Sequence, residues 1–352
     1  MTMAQLTYHE QKDIENIKRL RQLIKELPSF SADFFRGIEP QTSTRTRIAY
    51  AYDLRIFFDF LCQNNTEAAK IGIASLPLSL LEQLTVTDLE EYMEYLKCHP
   101  SVTNEDVYNT ERGIMRKMSS LKSFYNYFYR NQRIEKNPAA LVRLPKLHEK
   151  EIIRLEIDEV ARLLDEVEAG DKLTEKQKRY HEKTKVRDLA LMSLLLGTGI
   201  RVSECIGLNL DDVDLDACGI RIYRKGGKES VVYFSDEVCG TLESYLAERE
   251  TVTALSGHEE ALFLSLQKKR MSVRSVENLV KKYSALVTPL KTITPHKLRS
   301  TYGTNLYKET GDIYLVASVL GHNDVNTTRK HYAAQEEERR RSARNIVKLR
   351  EE

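Results

Sequence analysis

The sequence lacks the features that mark several large protein classes. None of its apolar runs approaches the roughly 18 residues of a membrane-spanning helix, and its N-terminus is too polar for a signal peptide. It contains neither a G-x-x-x-x-G-K-[ST] loop for nucleotide phosphates nor a cluster of acidic residues suited to a metal ion. We therefore expect a cytoplasmic protein that works without a cofactor or metal.

The five cysteines are too few and too scattered to build a disulfide framework or a zinc site. They form no C-x-x-C pair, and most of them lie among apolar residues. An odd number of dispersed cysteines favours reduced, partly buried thiols. These residues are Cys62, Cys98, Cys205, Cys218 and Cys239.

What the chain does have is length and charge. Its 352 residues are enough for two domains with separate cores, and 41% hydrophobic with 30% charged residues is typical of a globular protein. The net charge of +2 conceals a basic stretch, because Glu277 is the only acid between Gln267 and Thr304. This stretch predicts either a surface for a polyanion or a solvated helix face. Its cations are Lys268, Lys269, Arg270, Arg274, Lys281, Lys282, Lys291, Lys297 and Arg299.

The first 140 residues carry helical periodicity and no strand signal, so we predict an all-helical bundle. Thr87 and Glu90 have the spacing of a helix-capping pair. The edges of the bundle carry basic and hydroxyl residues that suit phosphates on one side of a duplex, with ordinary solvated faces as the alternative. The helical stretches are residues 14–27, a helix starting at Thr44, residues 85–96 and residues 104–130; the edge residues are Thr42, Ser43, Thr44, Arg45, Arg47, Arg116, Lys117 and Lys122.

Residues 137–150 form the predicted domain boundary, because two prolines bracket a short apolar turn and charged residues follow. We assign residues 1–145 to an N-terminal domain, 146–155 to a linker and 156–352 to a C-terminal domain. The last segment, residues 336–352, is too polar to bury much against its own domain, so it could dock on a neighbouring subunit or fray.

The second domain places an arginine beside a buried helix. Residues 186–196 are apolar nearly all round and predict a buried helix that ends at Gly197 and Gly199. Arg201 then starts the next helix, where it is either a rigid phosphate clamp or the partner of Glu204. The charged segment at residues 171–185, which precedes this helix, predicts an exposed loop or solvated helix.

A hairpin and a histidine-rich stretch complete the pattern. Residues 219–234 predict a β-hairpin with its turn at Gly226-Gly227 and with Lys225 and Lys228 at the tip. Further on, His296 and Arg299 share a face if their segment is helical, and the Leu-Gly pair before His322 reads as the end of a helix. Together with Tyr332, these side chains suit binding and attack of a phosphate.

The order and spacing of these motifs resemble the tyrosine recombinases, also called the phage integrase family. G-T-G-I-R-V-S-E, a hairpin lysine, H-K-L-R, L-G-H and a tyrosine after T-T-R-K-H occur in register over roughly residues 40–340. The resemblance implies a mainly α, two-domain fold. Its N-terminal half would be a helical, SAM-like core-binding domain on DNA, and its C-terminal half a mixed α/β catalytic domain, mostly α with a small antiparallel sheet.

The resemblance also implies a catalytic set and a reaction. Family members cut and rejoin DNA through a 3′-phosphotyrosyl intermediate and a Holliday junction. The nucleophile would be Tyr332, which follows His322 by ten residues where many members have nine, and the Tyr-x-His ending common in the family is absent because Ala334 occupies that place. The remaining residues would be Arg201, Lys225 (with Lys228 as its rival), His296, Arg299 and His322.

Within the family, the near-minimal two-domain length resembles the Xer type. The charged segment at residues 171–185 and the extended N-terminus look like its single-recombinase branch, called XerS. Such enzymes resolve chromosome dimers at a dif-like site, act as tetramers that exchange C-terminal tails, and are controlled by a septal DNA translocase of the FtsK type. An integrase or excisionase of a mobile element is the nearest alternative. A type IB topoisomerase-like enzyme and a catalytically silent DNA-binding protein are further ones.

Overall fold

The structure is a computed structural model that describes residues 7–100, 105–147, 153–224 and 228–321. The chain divides into two compact units, Met1–Lys150 and Glu151–Glu352. Within the described ranges, no helix is both long enough and apolar enough to cross a membrane. Mostly helical secondary structure with small antiparallel sheets confirms the predicted fold class.

The described residues of the first unit form eight α-helices, two 3₁₀ helices (Glu39–Gln41 and Ile73–Ser75) and one pair of short strands. The two longest helices, α3 and α7, pack against each other, and α1 packs against α3. The elements are α1 (Tyr8–Lys25), α2 (Ser31–Gly37), α3 (Thr44–Asn64), α4 (Thr66–Ile71), α5 (Leu80–Gln83), α6 (Val86–Tyr95), β1 (Cys98–Pro100), β2 (Asp106–Tyr108), α7 (Glu111–Arg130) and α8 (Pro138–Leu141).

Helix starts in this unit are fixed by hydroxyl side chains that accept backbone N–H groups. Ser43 caps α3 in this way, and Thr110 caps α7. The predicted cap at Thr87 is wrong: α6 begins after Thr85, whose hydroxyl accepts from the Asp88 amide while the Asp88 carboxylate accepts from the Thr85 amide at 2.7 Å. Thr85/Asp88 and Thr87/Glu90 have the same spacing, but only Thr85 lies where the extended chain turns into the helix.

The prediction of an all-helical first unit is also wrong, because β1 and β2 form an antiparallel pair. His99 in β1 is buried and stacks on Tyr95 at the end of α6. The helix expected from Asn104 therefore starts only at Glu111. Strands of three residues are too short to produce an alternating pattern, so periodicity could not predict them.

The core of the first unit is built from aromatic rings. Phe34, Phe124 and Phe58 are completely buried, and Phe34 and Phe58 each meet Phe124 edge-on. Edge-to-face rings combine a large buried area with favourable quadrupole contacts. The chain thereby fixes α2, α3 and α7 against one another without any tryptophan.

Several cations that the sequence placed on the edges of this unit belong to its interior framework. Arg47 is buried and pairs with Glu39 at 2.8 Å. Lys117 is buried and donates to the Asn109 side chain, and Lys122 donates to the carbonyl of Val142. Burial lowers the pKa of Lys117. Arg45 remains exposed.

The second unit is organised around a helix, α11, that is buried on nearly all sides, as predicted. It packs against α9, α13 and α15. The elements of this unit are α9 (Ile157–Ala169), α10 (Glu175–His181), α11 (Lys185–Thr198), α12 (Val202–Gly207), β3 (Val213–Asp214), β4 (Gly219–Tyr223), β5 (Glu229–Tyr233), α13 (Asp236–Glu250), α14 (Val273–Val287), α15 (Pro295–Thr310) and α16 (Ile313–Leu320).

A buried polar network fixes α11 to α14 at the first turn of α11. Asp188 is 1% exposed, and its carboxylate accepts from Arg187 at 2.5 Å and from the Tyr283 hydroxyl at 3.3 Å. His181 extends the network, because its Nδ1 lies 3.0 Å from the same hydroxyl. The charged segment at residues 171–185 is therefore only partly solvated: its helix α10 ends on a buried histidine.

The predicted hairpin is present as β4 and β5, which pair in the register Gly219 with Tyr233 and Tyr223 with Glu229. A third strand, β3, pairs with the other edge of β4 and was not predicted. It contains only two residues, which is again too short for a sequence signal. The predicted turn at residues 226–227 lies outside the described residues.

We predict that Asp53 is a major contributor to the stability of the first unit. Asp53 in α3 is 2% exposed and accepts from Arg116 at 2.5 and 2.7 Å and from Ser120 at 2.7 Å. Asp53→Ala should lower the free energy of local unfolding by about 3 kcal/mol, the low end for a broken buried pair because Arg116 can regain water. Hydrogen exchange of α3 and α7, followed by mass spectrometry, measures this.

Asp59→Ala is the matched control on the same helix. Asp59 pairs with Arg55 at 3.2 Å, and both side chains are 37% exposed. Removing such a surface pair should cost at most about 1 kcal/mol. Equal protection losses in the two variants would contradict the role given to Asp53.

Candidate active site

Helix α15 carries the H-K-L-R motif in its first turns. Thr294 is the N-cap and Pro295 the first residue, where a fixed φ and a missing N–H suit a helix start. The predicted helical placement of His296 and Arg299 is confirmed. Their environments differ, however, since His296 is exposed while Arg299 is 5% exposed.

Arg299 connects two other segments of the site through backbone carbonyls. Its Nη1 donates to the carbonyl of Gly199 at 2.6 Å, and its Nη2 donates to the carbonyl of Leu320. Gly199 lies two residues before Arg201, and Leu320 lies two residues before His322. One buried guanidinium therefore holds together the chain segments that precede two of the predicted site residues.

The turn before Arg201 requires glycine. Gly199 ends α11 in the left-handed region with φ of +63°, where a side chain is strained. A Cβ at this position would also lie 2.5 Å from the Tyr302 ring and 2.9 Å from Leu320. The chain can therefore pass close to α15 and α16 and emerge at Arg201.

Arg201 occupies the N-cap position of α12, as predicted, and it pairs with Glu204. Its Nη1 donates to Glu204 Oε1 at 2.7 Å, and its backbone N–H donates to Oε2 at 2.7 Å. The Glu204 side chain is 5% exposed, whereas that of Arg201 is 40% exposed. Pairing with Glu204 and a role as a phosphate clamp are therefore compatible. The buried Glu204 carboxylate orients the Arg201 guanidinium, whose other face reaches the surface.

Helix α16 ends at Leu320 with Gly321 as its left-handed cap, at φ of +63°. Val316 and Leu320 are buried and pack with Tyr307, while Tyr314 is exposed. The predicted helix end before the L-G-H histidine is therefore confirmed. His322, Tyr332 and the segment 336–352 lie outside the described residues.

The base of the hairpin adds an arginine that sequence reasoning missed. Lys225 lies outside the described residues, and Lys228 is exposed. Arg224, between β4 and that turn, donates from Nη2 to the carbonyl of Val319 at 2.8 Å. Burial lowers the pKa of Arg224, and the Arg201 cation lowers it further, while Glu204 opposes both effects. No local pattern marks this residue, because its acceptor is a carbonyl 95 positions away.

The basic stretch between Gln267 and Thr304 is only in part a charged surface. Arg270 donates to the carbonyls of Ile206 and Leu208, at 2.9 and 2.6 Å. Lys291 pairs with Glu159 at 2.6 Å, and burial lowers the pKa of Lys282. Together with Arg299, these cations form contacts that stabilise the fold. Both predictions for the stretch, a polyanion surface and a solvated helix face, therefore assumed too much exposure. The exposed members are Lys268, Lys269, Arg274 and Lys281.

The described part of this arrangement presents groups that can hold an anion. Among the described residues, no group of three or more histidine, cysteine or acidic side chains could bind a metal ion. Arg201 presents a partly exposed, pre-oriented guanidinium, and His296 lies exposed at the start of α15. Such groups suit the binding of a phosphate whose charge grows during attack.

Comparison with known proteins agrees with this chemistry. Residues 154–339 match the Phage integrase family. The chain is 35% identical over 332 residues to tyrosine recombinase XerS of Streptococcus pyogenes serotype M5, covering 86% of this chain and 90% of the relative. It is 34% identical over 295 residues to tyrosine recombinase XerC of Caldanaerobacter subterraneus subsp. tengcongensis, covering 81% of this chain and 77% of the relative.

Solved structures show the same fold. XerH recombinase bound to a palindromic difH substrate matches with a TM-score of 0.63 at 18% identity, covering 86% of this chain and 80% of that one. The Tn1549 transposon integrase in complex with circular intermediate DNA matches with a TM-score of 0.61 at 20% identity, covering 85% and 93%. The chain therefore belongs to the phage integrase family and is a site-specific DNA recombinase of the Xer type.

Proposed function

We propose that this recombinase cleaves DNA with Tyr332 as nucleophile, assisted by Arg201, Lys225, His296, Arg299 and His322. Tyr332 would attack a phosphodiester and form a 3′-phosphotyrosyl bond with release of a 5′-hydroxyl. The covalent bond conserves the energy of the broken one, so religation needs no ATP. Strand exchange would pass through a Holliday junction.

The observation that carries this proposal is the pair of bonds from Arg299 to the carbonyls of Gly199 and Leu320. These bonds bring together the segments that lead directly to Arg201 and His322. Gly199, Arg299 and Leu320, which span about a third of the chain, are thereby neighbours. The grouping supports a single phosphate site more strongly than the motifs do separately.

Two guanidiniums and an imidazole would stabilise the transition state by charge. Attack on a phosphodiester increases the negative charge on the non-bridging oxygens, and fixed donors compensate this charge without reorganising. Arg201 is pre-oriented by Glu204, and Arg299 is oriented by the carbonyls of Gly199 and Leu320. His322 would add a hydrogen bond to the same oxygens.

Proton transfer would involve the remaining two residues. A phenol with an ordinary pKa of about 10 is mostly protonated at neutral pH, so attack by Tyr332 needs a base. His296 is the candidate. The 5′-oxygen is a poor leaving group, and Lys225 on the hairpin is the candidate acid, with Lys228 as its rival.

The cellular role that we propose is resolution of chromosome dimers at a dif-like site. The partners would be double-stranded DNA, other copies of the chain in a homotetramer joined by residues 336–352, and a septal translocase of the FtsK type. Two similarities support this: 35% identity to a XerS recombinase and a shared fold with XerH, whose crystal structure contains a difH substrate. Cytoplasmic location follows from this role.

An integrase of a mobile element is the competing function. The fold alone does not distinguish an integrase from a chromosome-dimer resolvase, because the Tn1549 integrase matches with a TM-score of 0.61 and XerH with 0.63. The sequence similarity to Xer recombinases favours the chromosomal role.

We predict that Tyr332→Phe binds its DNA site but forms no covalent complex, because the variant lacks only the nucleophilic oxygen. A duplex nicked near the scissile bond traps covalent protein on a denaturing gel, and a mobility shift on a native gel measures binding. A covalent adduct that survives the substitution would show that another residue is the nucleophile.

We predict that Arg299→Lys reduces covalent trapping by about 100-fold or more, because one ammonium cannot replace a bidentate guanidinium on a developing charge. The control is Arg270→Lys, which also replaces a guanidinium bonded to two carbonyls. It should lower the unfolding temperature yet keep most of the cleavage rate of the folded fraction. Equal rate losses would assign Arg299 a purely structural role.

We predict that the protein occupies one dominant chromosomal site near the replication terminus in the cells that encode it. Immunoprecipitation of covalent protein–DNA complexes followed by sequencing maps this site. Deletion of the gene should increase the fraction of dimeric chromosomes. Enrichment at the ends of a mobile element instead would favour the integrase function.

A further inference from the structure

Arg224 joins the base of the hairpin to the end of helix α16. Its backbone N–H donates to the carbonyl of Lys228 at 2.9 Å, which closes the hairpin just below its turn. Its side chain crosses to the last turn of α16, where Nη2 donates to the carbonyl of Val319 at 2.8 Å. One residue therefore belongs to the hairpin through its backbone and to the helix end through its side chain.

The fit between Arg224 and the helix end depends on a missing side chain. A Cβ built on Gly321 would lie 1.2 Å from Arg224 Nη1 and 2.4 Å from its Cζ. The guanidinium thus lies directly against the backbone of Gly321. The glycine of the L-G-H motif serves two purposes here, since it also adopts the left-handed cap conformation at φ of +63°.

The surroundings of Arg224 are not those of an arginine selected only for stability. Its Nε is buried and has no hydrogen-bond partner among the residues that the structure describes. A buried donor without an acceptor destabilises a folded protein relative to a satisfied one. Burial lowers the pKa of Arg224, Glu204 opposes this effect, and the positive charge of Arg201 adds to it. A role in the reaction explains why an arginine occupies this place.

We propose that Arg224 is a positioning residue for strand cleavage, which fixes the base of the lysine-bearing hairpin against the end of α16. This inference rests on the function proposed above, because it assumes that a hairpin lysine is the general acid. Tyr332 Oη forms the bond to phosphorus and its proton passes to His296, while the bond from phosphorus to O5′ breaks and the lysine Nζ proton moves to O5′. Arg224 acts only through the lysine, because it fixes the two ends of the hairpin base, at Arg224 and Lys228, from which the turn starts.

The test compares two leaving groups in single-turnover cleavage by the full-length protein. One nicked substrate has the normal bridging 5′-oxygen, and the other has sulfur in its place. A thiol is a far stronger acid than an alcohol, so the sulfur leaves without needing a proton. Arg224→Ala should be about 10- to 100-fold slower than wild type on the oxygen substrate and close to wild type on the sulfur substrate.

Arg221→Ala, in the strand β4 that precedes Arg224, is the matched control. Arg221 pairs with Asp212 at 3.1 Å and is 48% exposed, so it lies away from the helix end contact. Its substitution should change neither rate. Thermal unfolding and DNA binding are measured for every variant, and Arg224→Lys, which keeps the charge without the fork, provides the same comparison if the alanine variant does not fold.

Lysine variants separate the failure of this inference from the failure of the proposed function. Lys225→Ala or Lys228→Ala, whichever removes the acid, should show the same recovery with sulfur. If one lysine variant recovers but Arg224→Ala is equally slow on both substrates, the positioning role is wrong and the acid assignment stands. If neither lysine variant recovers, the general-acid assignment fails and the inference fails with it.

Discussion

The catalytic unit depends on the hydrogen bonds that hold one buried guanidinium, that of Arg299. Arg299 is 5% exposed, and the partners that receive its Nη1 and Nη2 protons are backbone carbonyls of Gly199 and Leu320. Carbonyl dipoles, including those at the C-terminal end of a helix, stabilise a cation and fix its orientation. The two bonds therefore hold the guanidinium in place between the turn before Arg201 and the end of α16. Arg201 differs, because Glu204 holds it and its outer face stays in water.

Sequence reasoning succeeded where the signal was local. The buried helix α11, the start of α12 at Arg201, the hairpin of β4 and β5, and the end of α16 at Gly321 all follow from periodicity or from glycine at a left-handed position. The remaining features join distant parts of the chain. Arg224 meets Val319 across 95 positions, and strands of two or three residues leave no pattern to detect.

Runs of positive charge in the sequence were the least reliable predictor of a surface for a polyanion. Arg47, Lys117, Arg270 and Lys291 all lie in stretches that read as basic surface, yet each has a partner that belongs to the fold. Long cationic side chains can bury their stems and still place the charged end on a carbonyl or carboxylate. Formal charge in a window of sequence is therefore a poor measure of the charge that a polyanion would meet.

The use of backbone carbonyls has a consequence for sequence variation. Every residue type carries the same carbonyl, so the acceptors at Val319 and Leu320 persist whatever side chains occupy these positions. The hydrogen bonds depend instead on the donors Arg224 and Arg299. They also depend on Gly199 and Gly321, where a side chain would prevent the close approach. These hydrogen bonds therefore place no demand on the side chain at position 319, whereas Leu320 is constrained separately because its own side chain is buried.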